Sequence, residues 1–198
     1  MTEFIPVVET LVQSEGSFDW AVAVEPSLRW SWITLGADTS DADIARVVAK
    51  LATTGNKAIM TGSLDSLVGV SSAWDFGLPG GLLVRDEHMT IEPGEYGFLN
   101  DWREWYGVKP GARTPDLGEY PSQWVRCGDE FAEIGFAGAS GSIQMTYAQL
   151  ERALEKTTAD LYAFQMRLGD WLCRQPRFTS DLASRFANHF AVALEISA

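Results

Sequence analysis

Histidine, cysteine and positive charge are scarce in this chain of 198 residues, which has two His, two Cys and 15 Lys or Arg against 27 Asp or Glu. Each scarcity excludes a class of function. Cys127 and Cys173 stand 46 positions apart without CxxC spacing, which rules out a disulfide framework and fits two unrelated thiols in a reducing compartment. His88 and His189 are the only imidazoles and no HExxH occurs, so the usual zinc sets are missing and no metal or cofactor is expected. A net charge of −12 repels phosphates, which excludes direct nucleic-acid binding through a general basic surface. No apolar run approaches the roughly 18 residues of a membrane span. Met1 to Glu15 carries three Glu and no Lys or Arg, unlike a secretory leader. The expectation is a cytoplasmic protein with no membrane contact.

What is present is a normal apolar fraction, 46 %, and 12 % aromatics with eight tryptophans. That composition excludes disorder and is enough for an ordinary core in one domain, or at most two small ones. The acidity is uneven. Residues 1–99 hold 14 acidic and 5 basic side chains, a balance of −9, while residues 100–198 hold 13 and 10, a balance of −3. Such an excess serves solubility, or it forms a face for a basic partner.

Pro6 with Val7, Val8, Leu11 and Val12 predicts a short amphipathic helix ended by Gly16. Phe18 to Glu25 and Leu28 to Leu35 alternate around Pro26-Ser27 and predict a hairpin. Ser40 and Asp43 resemble a capping box opening a helix at Ile44, Val47, Val48 and Leu51, stopped by Gly55. Between 56 and 126 the candidate strands are Lys57–Met60, Gly81–Arg85 and His88–Ile91, with Asn100–Tyr106 as one helical turn and Pro110–Pro121 as a loop. Gln123–Cys127 and Phe131–Phe136 form a hairpin across Gly128-Asp129, and a strand follows near Ser142–Met145.

The C-terminal pattern is the clearest. Tyr147, Leu150, Leu154, Thr157, Leu161, Phe164, Leu168 and Trp171 recur at alternating spacings of three and four, a seam on one helix roughly 39 Å long. Thr157 is its one polar position, and Pro176 closes it. A second helix begins near Thr179 to Asp181 with Leu182, Phe186, Phe190 and Leu194. The seam has two readings: a helical hairpin packed on a sheet, or a homodimer through 147–171 in an otherwise monomeric protein. Together the patterns predict a single α+β domain over 1–198, with a mostly antiparallel sheet over about 18–146 and a helical region over 147–198.

Catalytic motifs fail one by one. Gly138-Ala-Ser-Gly-Ser142 ends in Ser where a nucleophile elbow needs Gly, and a strand follows instead of a helix. Gly77-Leu-Pro-Gly-Gly81 lacks the Lys of a phosphate loop. Asp38, Ser40, Asp41 and Asp43 would put Asp43 and Ala49 where a calcium loop needs Gly and Glu. His88 beside Asp86-Glu87 reads as a solvated turn, and His189 as a packing residue. No catalytic residue is assigned.

One constellation remains: Asn100-Asp-Trp-Arg-Glu-Trp-Tyr106, followed by the loop with Lys109, Arg113, Asp116, Glu119 and Tyr120. Aromatics, Arg and carboxylates on a loop are the composition of a binding hot spot. The candidate partner-binding set is therefore Trp102, Arg103, Glu104, Trp105, Tyr106, Arg113, Asp116, Glu119 and Tyr120. The competing reading is that Trp102 and Trp105 anchor the loop in the core. In whole-chain character, and in its Trp-rich acidic segments 28–43 and 95–120, the sequence resembles the immunity proteins of bacterial polymorphic-toxin systems. The resemblance implies a non-catalytic inhibitor that blocks a cognate, basic toxin protein, and it assigns no individual residue. Two alternatives stand beside it: a small-molecule binder or enzyme with an aromatic pocket, and an oligomeric phage or host accessory protein.

Overall fold

A computed structural model describes residues 2–10, 31–54, 77–94, 97–112, 123–176 and 178–196. Its first element corrects the sequence reading, because Glu3–Glu9 is a strand, β1, and not a helix. The β-branched Ile5, Val7 and Val8 favour that conformation, and pairing on both sides overrides the apparent helical spacing. Pro6 sits inside this central strand. Its carbonyl accepts the Leu35 N–H at 2.9 Å, but proline has no N–H to return. The ladder with β2 (Trp32–Thr34) stops there, having paired Val7 with Thr34, Val8 with Ile33 and Glu9 with Trp32.

On its other edge β1 pairs antiparallel with β3 (Gly80–Arg85), from Glu3 opposite Arg85 to Val8 opposite Gly80. β3 pairs in turn with β4 (Thr90–Ile91), giving the order β2-β1-β3-β4. Asp86 closes the β3–β4 turn by accepting the His88 and Met89 N–H groups, each at 2.8 Å. Those bonds hold its carboxyl below the usual range. A second antiparallel sheet, β5 (Gln123–Cys127), β6 (Phe131–Phe136) and β7 (Ser142–Thr146), follows as a meander. The α+β class is therefore as expected, with two sheets in place of one. Buried Gln123 joins them by donating to the carbonyls of Leu82 (3.0 Å) and Glu92 (2.9 Å). The strands expected at Phe18–Glu25 and Lys57–Met60 lie outside the described residues.

Three helices complete the chain: α1 (Asp41–Thr54), α2 (Tyr147–Cys173) and α3 (Ser180–Ala193). Ser40 Oγ accepts the Asp43 N–H and donates to the Asp43 carboxylate, the cap that the spacing predicts. Thr146 and Gln149 form a full capping box on α2, and Thr179 caps α3. The α2 seam is buried within the chain itself, from Leu150 through Trp171, so its apolar stripe is already covered by α3 and the sheets. Phe164 meets Phe190 of α3 with ring centroids 5.3 Å apart. One cluster of buried side chains runs through both sheets and all three helices. Among the described residues no helix is long and apolar enough to cross a membrane.

Thr157, the polar interruption in the seam, has a structural task. Its hydroxyl is fully buried and lies 3.0 Å from both the Phe4 carbonyl of β1 and the Ala153 carbonyl of its own helix. In an extended strand Phe4 and Pro6 turn their carbonyls to the same edge, the edge on which β2 has already ended. Thr157 thus supplies the donor that a longer β2 would provide, to a carbonyl that is costly to leave unpaired.

Candidate functional site

The Trp-rich segment is a 3₁₀ helix over Leu99–Gly107. With three residues per turn, positions i and i+3 eclipse. Leu99, Trp102, Trp105 and Val108 follow that spacing, and all four are buried, the two indoles only 1 % and 2 % exposed. Trp105 packs edge-on against Phe4, centroids 4.8 Å apart. Trp102 donates its indole N–H to the Leu194 carbonyl at 2.8 Å. Neither indole offers a partner any surface in this conformation.

The rest of the segment grips the end of α3. Asn100 donates to the Ala193 carbonyl at 3.0 Å, and Arg103 donates to the Glu195 carbonyl. With Trp102, these side chains satisfy the Ala193 and Leu194 carbonyls that a helix end leaves without partners, and the Glu195 carbonyl just beyond the cap. The backbone handles the carbonyls before them. Ile196 N–H reaches Ala191 O at 2.8 Å, Glu195 N–H reaches Val192 O at 3.0 Å, and Glu195 takes φ 52°. That is a Schellman ending with glutamate where glycine is usual. The Arg103 guanidinium also lies at the negative end of the helix dipole.

Beyond the clamp, the 3₁₀ segment and α2 border a groove of about 350 Å³ whose lining includes the buried Trp105 and Val108. Trp105, Tyr106, Val108, Lys109 and Pro110 form one wall, and Tyr147, Leu150, Glu151 and Leu154 of α2 form the other. Tyr106 is 40 % exposed, with its hydroxyl 3.2 Å from Thr158 Oγ1. Tyr147 donates its hydroxyl to the Gly128 carbonyl at 2.7 Å, tying α2 to the β5–β6 turn. Desolvation, then the nearby Cys127 and Asp129, push its phenol above the usual range. Of the sequence candidates, Tyr106 lines this groove, Arg103 belongs to the clamp, and Glu104 is exposed beside them. Arg113, Asp116, Glu119 and Tyr120 lie outside the described residues.

Four carboxylates of the acid-rich half are paired within the fold, whereas the exposed Asp38 and Glu92 of that half make no ion pair among the described residues. In the acid-rich half, Glu3 pairs with Arg85 at 2.8 Å, Glu9 with Lys50 at 2.7 Å and Asp43 with Arg46 at 3.0 Å. Asp41 receives both Arg167 (3.1 Å) and Arg174 (2.7 Å), which pins the start of α1 to α2. The Arg85 hydrogen bond is the main cause that lowers the Glu3 pKa. Around the groove, by contrast, the exposed Asp129, Glu130, Glu151 and Glu155 make no ion pair among the described residues.

A second tryptophan–arginine pair, which the sequence reading passed over, lies on the outer face of the β5–β7 sheet. Val125, Ile134 and Ile143 point into the core, so strand alternation sends Trp124, Arg126, Phe131 and Glu133 outward. Trp124 lies across Gly135, where a Cβ would overlap its indole. Arg126 sits 4.6 Å above that ring and 3.6 Å from Glu133, with its side chain 75 % exposed. The signal was the strict alternation of Gln123–Cys127, which fixes the facing of Trp124 once Val125 is placed inside.

Histidine takes no part in these arrangements. His88 is exposed in the β3–β4 turn, and His189 is half-buried on α3. Gly138-Ser142 is the turn between β6 and β7, with Gly138 at φ 86°. Among the described residues no three His, Cys, Asp or Glu side chains converge as a metal site. No protein-family profile, curated protein or solved structure matches the chain.

Proposed function

We propose that the protein is a non-catalytic, cytoplasmic binding protein that captures and blocks a basic protein partner, as an immunity protein blocks its toxin. The observation that supports this reading is the division of the carboxylates. Four acids of the β1–α1 region, Glu3, Glu9, Asp41 and Asp43, are paired within the fold. Glu151, which lines the groove with the exposed Tyr106, and Asp129 and Glu130 near Tyr147 make no ion pair among the described residues. Unpaired carboxylates speed encounter with a basic protein, and desolvated aromatics supply the affinity. The site so favoured is the groove, and not the acid-rich N-terminal half.

The test uses the product of the reading frame beside this one in its genome. The expected result is a one-to-one complex of nanomolar affinity or tighter, about −12 kcal/mol, and rescue of cells that express the neighbouring product. Absence of both overturns the reading. A small-molecule role is the second reading, because a 350 Å³ groove with Tyr, Lys and Glu on its walls is within the size range of ligand sites. Saturable thermal stabilisation by a small aromatic compound, lost in Tyr106→Ala, is the result that favours it.

A further inference from the structure

We infer that the groove between the 3₁₀ segment and α2 is the docking site for a basic, apolar-flanked segment of a partner protein, with an arginine or lysine set against Glu151, Asp129 and Glu130 and an apolar side chain laid along Tyr106, Pro110 and Tyr147. The inference rests on the binding-protein reading and adds the place and the chemistry of contact. Three features carry it. The walls are aromatic and aliphatic, and Tyr106 is exposed. The surface is continuous with the β5–β6 turn, because Tyr147 lines the groove and bonds the Gly128 carbonyl beside Asp129 and Glu130. Among the described residues Lys109 and Glu151 balance within the lining, and the excess of negative charge comes from the exposed Asp129 and Glu130, which follow the Gly128 whose carbonyl Tyr147 bonds.

Lys109 makes the geometry directional. It stands on the wall opposite Glu151, so the cation of the bound segment is directed to the α2 side and a backbone carbonyl of the segment to Lys109. Aromatic faces beside a carboxylate hold a guanidinium by cation–π attraction and charge-assisted hydrogen bonds together. An uncharged apolar occupant would leave Glu151 and Lys109 to be desolvated without gain.

The probe is a blocked synthetic peptide of alternating arginine and leucine, compared with a counterpart carrying glutamate for arginine, titrated at low salt and followed by backbone amide NMR shifts. The expected result is saturable shifts confined to residues around Lys109, Asp129, Tyr147 and Glu151, with binding of the acidic peptide weaker by about tenfold or more. Glu151→Lys is expected to weaken the arginine peptide about tenfold, roughly 1.4 kcal/mol, and Tyr106→Ala about threefold. Lys109→Glu is expected to strengthen it about threefold. Asp170→Lys, on the exposed side of α2 and outside the groove lining, changes the net charge as Glu151→Lys does and should leave affinity unaltered. All four positions are solvent-exposed, so folding is not at stake.

The inference is overturned by equal binding of the acidic peptide, by shifts centred elsewhere, by no saturable binding of the arginine peptide, or by an Asp170→Lys effect equal to that of Glu151→Lys. Peptide binding in the groove combined with failed neutralisation of the neighbouring gene product leaves the docking site standing and removes the proposed role. Neutralisation that survives Glu151→Lys and Tyr106→Ala does the reverse.

Discussion

Two tryptophan–arginine pairs occupy opposite environments in one molecule. Arg103 lies 5.2 Å from the Trp102 ring and Arg126 lies 4.6 Å from the Trp124 ring. By residue type they are the same hot-spot vocabulary. Yet Trp102 is enclosed by the core and bonded to the end of α3, while Trp124 lies on the outer face of a sheet under an exposed guanidinium. Backbone period makes the difference. Three residues per turn return Leu99, Trp102, Trp105 and Val108 to one buried face, and two residues per repeat turn Trp124 and Arg126 away from Val125. Composition names candidates for an interface, and only the period sorts them into inside and outside.

The largest expected contrast is between the two truncations to alanine. Trp102→Ala removes a filled volume and the donor to Leu194, at an expected cost of about 3–5 kcal/mol. Trp124→Ala should cost less, about 1–2 kcal/mol, since its indole is only partly buried on the outer sheet face and its extra term is a surface cation–π contact. Urea unfolding of both variants measures this directly. Equal losses would break the comparison.

Gly135→Ala sharpens it from the other side. The new methyl collides with the Trp124 indole, so the expected loss is about 1–3 kcal/mol. In a Trp124→Ala background the same change should be neutral or stabilising by roughly 0.5–1 kcal/mol, because alanine is better than glycine within a strand. A double-mutant cycle therefore reads a coupling of about 1–3 kcal/mol. Additive losses would mean that the indole does not rest on Gly135.

The arginines follow in size. Arg103→Met strips a charged donor from the last carbonyls of α3 and should cost about 1–2 kcal/mol. Arg126→Met removes a loose pair with Glu133 at 3.6 Å and should stay within about 0.5 kcal/mol of the parent. Raising the salt concentration should shrink what little Arg126 contributes more than the Arg103 effect, since Arg103 is the better enclosed.

Legibility in the sequence tracks how local each determinant is. β5, β6, α2 and α3 were readable to within about two residues because periodicity, turn glycines and caps all lie inside the element. β1 was misread because its partners are remote. Val7 meets Thr34 and Glu3 meets Arg85, and nothing near Pro6 announces a strand whose neighbours come roughly 27 and roughly 82 residues later. The long-range carboxylate pairs were hidden for the same reason, since Asp41 is held by Arg167 and Arg174 from the far end of α2. Part of the acid excess of the first half is thus taken up by ion pairs within the fold. The 3₁₀ face was visible as a spacing of three from Leu99 to Val108, but a run that short also fits one turn of α-helix, with Tyr106 joining Trp102.

The smallest prediction concerns the joint on which the Trp102–Arg103 clamp closes. Glu195 holds φ 52°, a left-handed conformation that costs a side-chain-bearing residue about 1 kcal/mol relative to glycine. Glu195→Gly keeps the carbonyl that Arg103 grips and the amide that reaches Val192. It gives up only the carboxylate, 73 % exposed and 3.5 Å from Arg103 Nε, a pair of little net value. The expected result is a gain of about 0.5–1 kcal/mol, or roughly 1–4 °C in melting temperature. Glu195→Ala separates the causes, because it loses the same carboxylate and keeps the strained backbone. If alanine stabilises as much as glycine, the ending is not a left-handed cap. If glycine alone stabilises, the grip of Asn100, Trp102 and Arg103 is what holds glutamate in a conformation that it does not favour.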